Sequence, residues 1–307
     1  MTLAKDFRPK TQAISIQPDK LSHILGSQQD YCLFLDIDGT LADFTLDPKD
    51  SVIAKETLDL LQKIQQQGVH IAAVTGRSLV EARQMLFPIK LPIAATHGLE
   101  IAFDGSQSMM IDNQTAAFSR SNELTAIKGA LRSACLPYPK LRIEDKPYSV
   151  ALHFRENPNL ADTAYQIMTA ISHEHPNWEL KQGKYVWELL PKGVNKGTAI
   201  LTLFEKMPRY HKLCPIFIGD DVTDEAGFLA VQGERLTVDG VIEKHSTVTG
   251  IGIKVGDAPT TAHYYLQDIA DVTEFLKSFL TFCQSRSQKP IFSFAKNTTQ
   301  KIKGSAI

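Results

Sequence analysis

Tyr31-Cys32-Leu33-Phe34-Leu35-Asp36-Ile37-Asp38-Gly39-Thr40 is an apolar run that ends in two carboxylates and a glycine turn. A run without alternation suits a strand buried on both faces, as in a parallel sheet. Open α/β sheets place their ligands beyond the carboxyl ends of such strands. Asp36 stands at that end and suits an ionised nucleophile. Asp38, two residues on, suits the group that protonates a leaving alkoxide and then activates water. Its backbone carbonyl could also face a metal. Gly39 permits a tight turn, and Thr40 could bond a phosphate oxygen or fix the loop. By itself this pattern also describes an ordinary Asp-Gly turn after a strand.

Working outward, the runs His70–Val74, Ile93–Ala95, Pro215–Ile218 and Ile251–Val255 repeat the character of the first. Helical spacing falls between them. Leu58, Leu61 and Ile64 precede Gly68, a candidate C-terminal stop. Ser78 and Glu81 form a candidate capping box for a helix through Leu86. Asp271 and Glu274 suggest a cap before Val272, Phe275, Leu276 and Phe279. Strands alternating with helices imply a doubly wound parallel-sheet α/β core.

The middle of the chain has another rhythm. Leu124, Ile127 and Leu131 mark one helix, and Leu160, Ala164, Ile167 and Ile171 mark another. Between them, Tyr148 to Phe154 alternates like a half-exposed antiparallel strand. Lys184 to Leu190 alternates too, with Tyr185, Trp187 and Leu189 opposite Lys184, Val186 and Glu188. The expected organisation is an extension at 1–29, core at 30–111 and 191–283, an inserted α+β cap at 112–190, and a polar basic tail at 284–307.

Three further stretches supply parts of one reaction. Thr75-Gly76-Arg77 follows a strand, and Thr75 and the Gly76 N–H could donate to phosphate beside a capped helix whose N-terminal dipole favours anions. Arg77 would add charge or orient the loop. Lys196 opens a helix, an unfavourable place for a cation unless an anion is near. Beside Asp36 it would keep the nucleophile ionised and neutralise phosphate. Gly219-Asp220-Asp221-Val222-Thr223-Asp224-Glu225 crowds carboxylates at a strand end, which is costly without solvent or a cation. Oxygen donors point to a hard ion such as Mg²⁺. Asp220 is expected as a ligand, Asp224 as a ligand or an anchor beside it, and Glu225 at the surface or in a helix cap. Each stretch alone also fits a turn, a surface arginine, a solvated lysine or an acidic helix start. Four in order, each with a different role, favour the reaction.

The composition sets bounds. The chain has 307 residues, 43% apolar and 22% charged, with 33 basic against 34 acidic residues and a net charge of -1. No global field would attract nucleic acid or an anionic membrane. No apolar stretch approaches the ~20 residues of a membrane helix, and the N-terminus lacks a signal-like core. Cys32, Cys135, Cys214 and Cys283 are scattered, which argues against disulfides and suits a cytoplasmic protein.

These four stretches resemble the signatures of the haloacid dehalogenase superfamily of phosphotransferases. A closer resemblance, over about Leu33 to Leu280, is to the trehalose-6-phosphate phosphatase family. It is carried by His97-Gly98-Leu99-Glu100, by Gly183-Lys184-Tyr185-Val186-Trp187-Glu188 with Pro191 and Lys196-Gly197, and by the full Gly219–Glu225 stretch. Thr75 stands where that family often has serine. The resemblance implies a cap over the site. It implies that Lys184 and Glu188, helped by Glu144 and Lys146, bind the sugar of trehalose 6-phosphate. It also implies a ligand set of Asp36, Asp38, Asp220 and Asp224 for Mg²⁺. His97 and Glu100 could equally brace the core. Two rivals stand beside it: a phosphatase for another sugar phosphate, such as sucrose 6-phosphate, and a non-catalytic partner of a trehalose-phosphate synthase. Thr237–Thr249 reads as a loop or hairpin insertion.

Overall fold

The computed structural model describes residues 13–27, 29–45, 47–103, 108–110, 122–236 and 242–287. In chain order the strands are β1 Ile14–Ser15, β2 Asp30–Leu35, β3 His70–Val74, β4 Ile93–Ala95, β5 Glu100–Ala102, β6 Ser108–Met110, β7 Arg142–Asp145, β8 Val150–His153, β9 Trp178–Gly183, β10 Val186–Pro191, β11 Leu213–Gly219, β12 Glu234–Leu236, β13 Ile242–Lys244, β14 Ile251–Val255 and β15 Tyr264–Leu266. The helices are α1 Lys55–Gln66, α2 Leu79–Leu86, α3 Asn122–Cys135, α4 Ala161–Glu174, α5 Lys196–Glu205, α6 Glu225–Gln232 and α7 Ile269–Ser287.

The large sheet runs β1-β15-β14-β11-β2-β3-β4-β5-β6. Pairing is parallel from β1 to β4 and antiparallel through β5 and β6. The unbroken apolar character of β2 has a direct cause. Leu33 and Leu35 enter one core with Leu61, Ile64, Phe275 and Phe279, while Cys32 and Phe34 enter another with Ile200, Leu203, Phe217 and Phe228. Both faces are covered by helices, so past the exposed Asp30 the strand carries no charged side chain. From β2 the chain steps outward through β3 and β4, then later returns to β11 on the other side. The switch point lies between β2 and β11, where a ligand crevice is expected.

A second sheet, β7-β8-β10-β9, is antiparallel and packs one face on α3 and α4 through Leu131, Leu152, Met168, Trp178 and Leu189. Its other face carries the cross-strand row Glu144–Ala151–Glu188–Lys181.

Several expectations need correction. Lys184 to Leu190 is not one strand: Lys184 and Tyr185 form the hairpin between β9 and β10, with Tyr185 at φ 63°. β9 itself went unrecognised, because Trp178-Glu179-Leu180-Lys181-Gln182-Gly183 is rich in polar residues. The β8 strand is not half exposed, since Val150, Ala151 and Leu152 are all fully buried. The second face looks onto the cleft, which His153 helps to line. The final helix starts earlier than expected, capped by Asp268, whose carboxylate accepts from Asp271 N at 3.0 Å. Within the stretch read as an extension, β1 pairs with β15, and Ile16, Leu21 and Leu25 join the core. Of the basic tail, Arg286 lies in α7 and bonds Asp30 Oδ1 at 3.0 Å. Residues 288–307 lie outside the described residues. The insertion after Gly233 is a hairpin in its described part, with β12 paired to β13. No helix among the described residues is long and apolar enough to cross a membrane.

Phe279 tests this packing. It is fully buried, with ring centroids 6.3 Å from Tyr31 and 6.0 Å from Phe275. Phe279→Ala should cost about 3–5 kcal/mol, read from the denaturation midpoint. A loss below about 1 kcal/mol would show that α7 is not part of this core.

Candidate active site

The crevice between β2 and β11 receives one carboxylate from each strand end. Asp36 N donates to Ile218 O at 3.0 Å, which fixes the first loop against β11. The next turn is tight: Leu41 N and Ala42 N both donate to Ile37 O at 2.9 Å. Gly39 has φ 78°, and a Cβ there would lie 2.1 Å from Asp220 Oδ2. Glycine is thus required twice, by the backbone and by the second loop. Thr40 is fully buried and is not among the residues that line the cleft, and its hydroxyl has no hydrogen-bond partner among the described residues.

Lys196 is the first residue of α5, whose cap is Asn195 Oδ1 accepting from Thr198 N at 2.9 Å. Only 2% of Lys196 is exposed. Its Nζ lies 3.0 Å from Asp36 Oδ1 and 2.7 Å from Asp224 Oδ1. Asp224 is fully buried, and its other oxygen accepts from Asp220 N and Asp221 N at 3.0 Å each. One residue therefore folds the acidic loop and holds the lysine. Asp221 accepts from the Thr223 hydroxyl at 2.6 Å and, unlike Asp220, reaches the cleft wall. Carboxylate oxygens of Asp36, Asp220 and Asp224 lie within 4.8 Å of one another.

The electrostatics follow from burial. Desolvation pushes Asp36 well above the carboxylate range; Lys196 opposes it, and the neighbouring aspartates reinforce it. Burial, with Asp224 and Asp221 close by, pushes Asp220 up to about 8. Asp224 is likewise raised by burial against the pull of Lys196. Burial would also raise Asp221, but Lys196 and the Thr223 hydroxyl overcome it and leave its pKa lowered. Burial works against the Lys196 ammonium, yet Asp224 and Asp36 more than restore it, so its pKa is raised. The four aspartates outnumber the ammonium groups of Lys196 and Lys254 beside them, an excess of negative charge that a cation would offset.

Asp38 and Arg77 form a two-bond pair, Nε to Oδ2 at 2.7 Å and Nη2 to Oδ1 at 2.5 Å. Arg77, expected to add charge at the phosphate or to orient the loop, lines the cleft with its guanidinium bonded to Asp38. Thr75 is buried beside it, with its hydroxyl oxygen accepting from Arg77 N at 3.1 Å and its proton left for another acceptor.

The antiparallel sheet roofs the cleft. Glu188 is buried; its Oε1 accepts from the Ser149 hydroxyl at 2.5 Å and its Oε2 from Lys146 Nζ at 3.0 Å. Burial would raise Glu188, but Lys146 and His97 draw its pKa down instead. Burial lowers and Glu188 and Glu144 raise Lys146, with a raised net value. Lys146 also reaches across to donate to Gly76 O at 2.9 Å. Glu144 pairs with His153 Nε2 at 2.8 Å. Lys184 comes from the hairpin turn, with its Nζ 4.5 Å from the centre of the Phe44 ring. Asp36, Asp38, Thr75, Gly76, Arg77, Lys196, Glu144, Lys146, Lys184 and Glu188 all line one cleft.

Sequence reading missed four contributors. Arg155 lies 4.4 Å over the Phe44 ring and donates to Thr45 O, bridging the two sheets' loops. No local pattern marks it. Ser149 and His153 were read only as members of an alternating strand. Lys254 is buried in β14 and donates to Asp220 O. A lysine inside an apolar strand was a usable signal there. Glu225, expected at the surface or in a helix cap, opens α6 but is buried, and it accepts from Thr261 N at 2.7 Å and its hydroxyl at 2.6 Å.

The chain matches the family model for trehalose-phosphatase over residues 34–270. It is similar to the trehalose-6-phosphate phosphatase of Escherichia coli, 30% identical over 84% of this chain and 90% of that one. It is also similar to a probable trehalose-phosphate phosphatase of Sinorhizobium fredii, 36% identical over 69% of this chain and 78% of that one. Its fold is shared with the C-terminal domain of trehalose-6-phosphate phosphatase from C. albicans, at TM-score 0.73 and 21% identity over 88% of this chain and 98% of that one. With motifs, topology and family model in agreement, the chain belongs to the trehalose-phosphatase family and is a phosphoric monoester hydrolase.

Proposed function

We propose that the protein hydrolyses trehalose 6-phosphate to trehalose and phosphate through an aspartyl-phosphate on Asp36. One observation carries the reading: a single cleft has Asp36 and Lys196 at its floor and Glu188, Lys146 and Lys184 in its roof. The floor suits phosphoryl chemistry, and the roof suits sugar hydroxyls. The names of the relatives give the sugar. The rival readings keep less support. Another sugar phosphate would use the same floor, and a non-catalytic synthase partner has no need of Asp36, Asp38 and Lys196 together.

In this reading Thr75, the Gly76 N–H and Lys196 hold the phosphate oxygens. Asp36 attacks phosphorus, the bond from phosphorus to the sugar oxygen breaks, and Asp38 gives that oxygen a proton. Asp38 then takes a proton from water as it attacks the aspartyl-phosphate and frees Asp36. Arg77 fixes the direction of the Asp38 carboxylate through both its bonds, so Asp38 acts as the acid once one oxygen has taken a proton from solvent and given up its bond to Arg77. Asp36 and Asp220 would hold Mg²⁺, with the Asp38 carbonyl as the third protein donor. Asp224 anchors this group, since both its oxygens are engaged by Lys196 and the loop N–H groups. The all-oxygen donor set and the excess of buried negative charge fit such an ion, which would neutralise the phosphate's charge.

The assay is phosphate release from trehalose 6-phosphate, with glucose 6-phosphate and sucrose 6-phosphate in parallel. Trehalose 6-phosphate should be strongly preferred, activity should vanish with EDTA, and Asp36→Asn should lose at least about a thousandfold. Full activity in Asp36→Asn would refute the chemistry. Preference for another ester would refute the substrate alone.

Cation binding should also depend on pH. Asp220 keeps its proton up to about 8, whereas an unfolded aspartate gives it up near 3.8. A raised carboxyl pKa means that the fold without a cation loses stability as pH rises through that window. A cation takes the proton's place, so Mg²⁺ should raise the thermal midpoint more at pH 8 than at pH 5. Asp220→Asn should flatten both effects, and equal shifts at the two pH values would contradict the account. Gly39→Ala, which forces Asp220 aside, should weaken half-saturation by Mg²⁺ roughly tenfold or more. Unchanged half-saturation would show that Asp220 is not a ligand.

A further inference from the structure

The turn after β4 is strained. Thr96, His97 and Gly98 have successive φ values of 46°, 57° and 107°. A β-branched residue at positive φ is a genuine outlier, and such strain persists only where the surroundings over-determine it. Here the surroundings are the phosphate loop. Thr96 N donates to Arg77 O at 2.8 Å, and His97 N donates to Thr75 O at 2.9 Å. The turn is thus bonded to both ends of Thr75-Gly76-Arg77.

The strain aims one ring. The imidazole of His97 lies flush against Gly76, where an added Cβ would meet its Cε1 at 2.8 Å and Nε2 at 2.9 Å. From there Nε2 reaches Glu188 Oε2 at 3.2 Å, across the cleft on the roof sheet. The same Glu188 oxygen is held by Lys146 Nζ, which in turn donates to Gly76 O at 2.9 Å. Gly76, His97, Glu188 and Lys146 make a closed circuit, and two of its links cross between floor and roof.

We infer that His97 is a positioning residue that holds the sugar-reading carboxylate of Glu188 in register with the phosphate-binding loop. The circuit makes recognition of the two halves of the substrate interdependent. A loop ordered by phosphate fixes the ring, and the ring fixes Glu188 where a sugar hydroxyl meets it. An ester that carries phosphate without the sugar gains nothing from this link. The inference rests on the reading of the cleft above and adds a residue and a coupling to it.

The test is a double-mutant cycle on His97→Ala and Glu188→Gln. The quantity read is the ratio of kcat/KM for trehalose 6-phosphate to that for an aryl phosphate. Each single variant should lower the ratio about tenfold or more, mainly through KM for the sugar ester. The double variant should fall no further than the worse single one. His97→Gln, whose amide can still donate to Glu188, should recover most of the ratio, while the shorter His97→Asn should not. Thermal unfolding of each variant separates these effects from loss of fold, and His97→Asn replaces His97→Ala in the cycle if the latter does not fold. An unchanged ratio, or a double variant equal to the product of the singles, would overturn the inference. If the wild type prefers a different sugar phosphate, the substrate reading alone fails, and the same ratio is read with that ester.

Discussion

The structure turns on one buried ammonium. Lys196 is almost fully enclosed, yet its charge is sustained by Asp36 on one side and Asp224 on the other. Removing it would leave carboxylates that desolvation already pushes toward the protonated form. The topology explains why they meet. β2 and β11 are neighbours at the reversal of strand order, so the loops that follow them must share one crevice. The helix that begins at Lys196 packs against α6 so closely that a Cβ at Gly197 would lie 2.4 Å from Ala226 O. Lysine, acidic loop and nucleophile candidate are therefore held by the same core contacts that hold the sheet.

The roof repeats the principle with the charges reversed. Glu188 is a buried anion satisfied by Ser149, Lys146 and His97. Such a network is costly if half made and specific when complete. Its donors come from the turn between β7 and β8 and from the turn after β4, so the network joins roof to floor. Arg142 to Asp47 at 2.9 Å and Arg155 to Thr45 add further links between roof and floor. Closing a polar cleft over a phosphate ester excludes water and strengthens every charge interaction within it.

What the sequence made legible follows from local rules. Strands buried on both faces cannot hide, so β2, β3, β4, β11 and β14 were each readable, and the acidic groups at their ends came with them. The Ser78 and Glu81 capping box was equally readable, because its partners are three residues apart. The cleft roof was harder. Glu188 was found through its motif, but β9 reads as a polar stretch, and so Lys184 was placed in a strand and not in a turn. Arg155 and Ser149 act on partners far away in sequence, which no local period records. β1 is two residues long and exists only through its pairing with β15. Arg77 shows the remaining gap: its charge was legible, its two-bond pairing with Asp38 was not.

The claim on which the account stands is that Asp36 carries the phosphoryl group. The direct measurement is an acid quench during turnover of trehalose 6-phosphate labelled in its phosphate, followed by peptide mapping. The account predicts label on the peptide that contains Asp36, released by hydroxylamine and absent in Asp36→Asn. Turnover with no covalent label, or label on another residue, would contradict it.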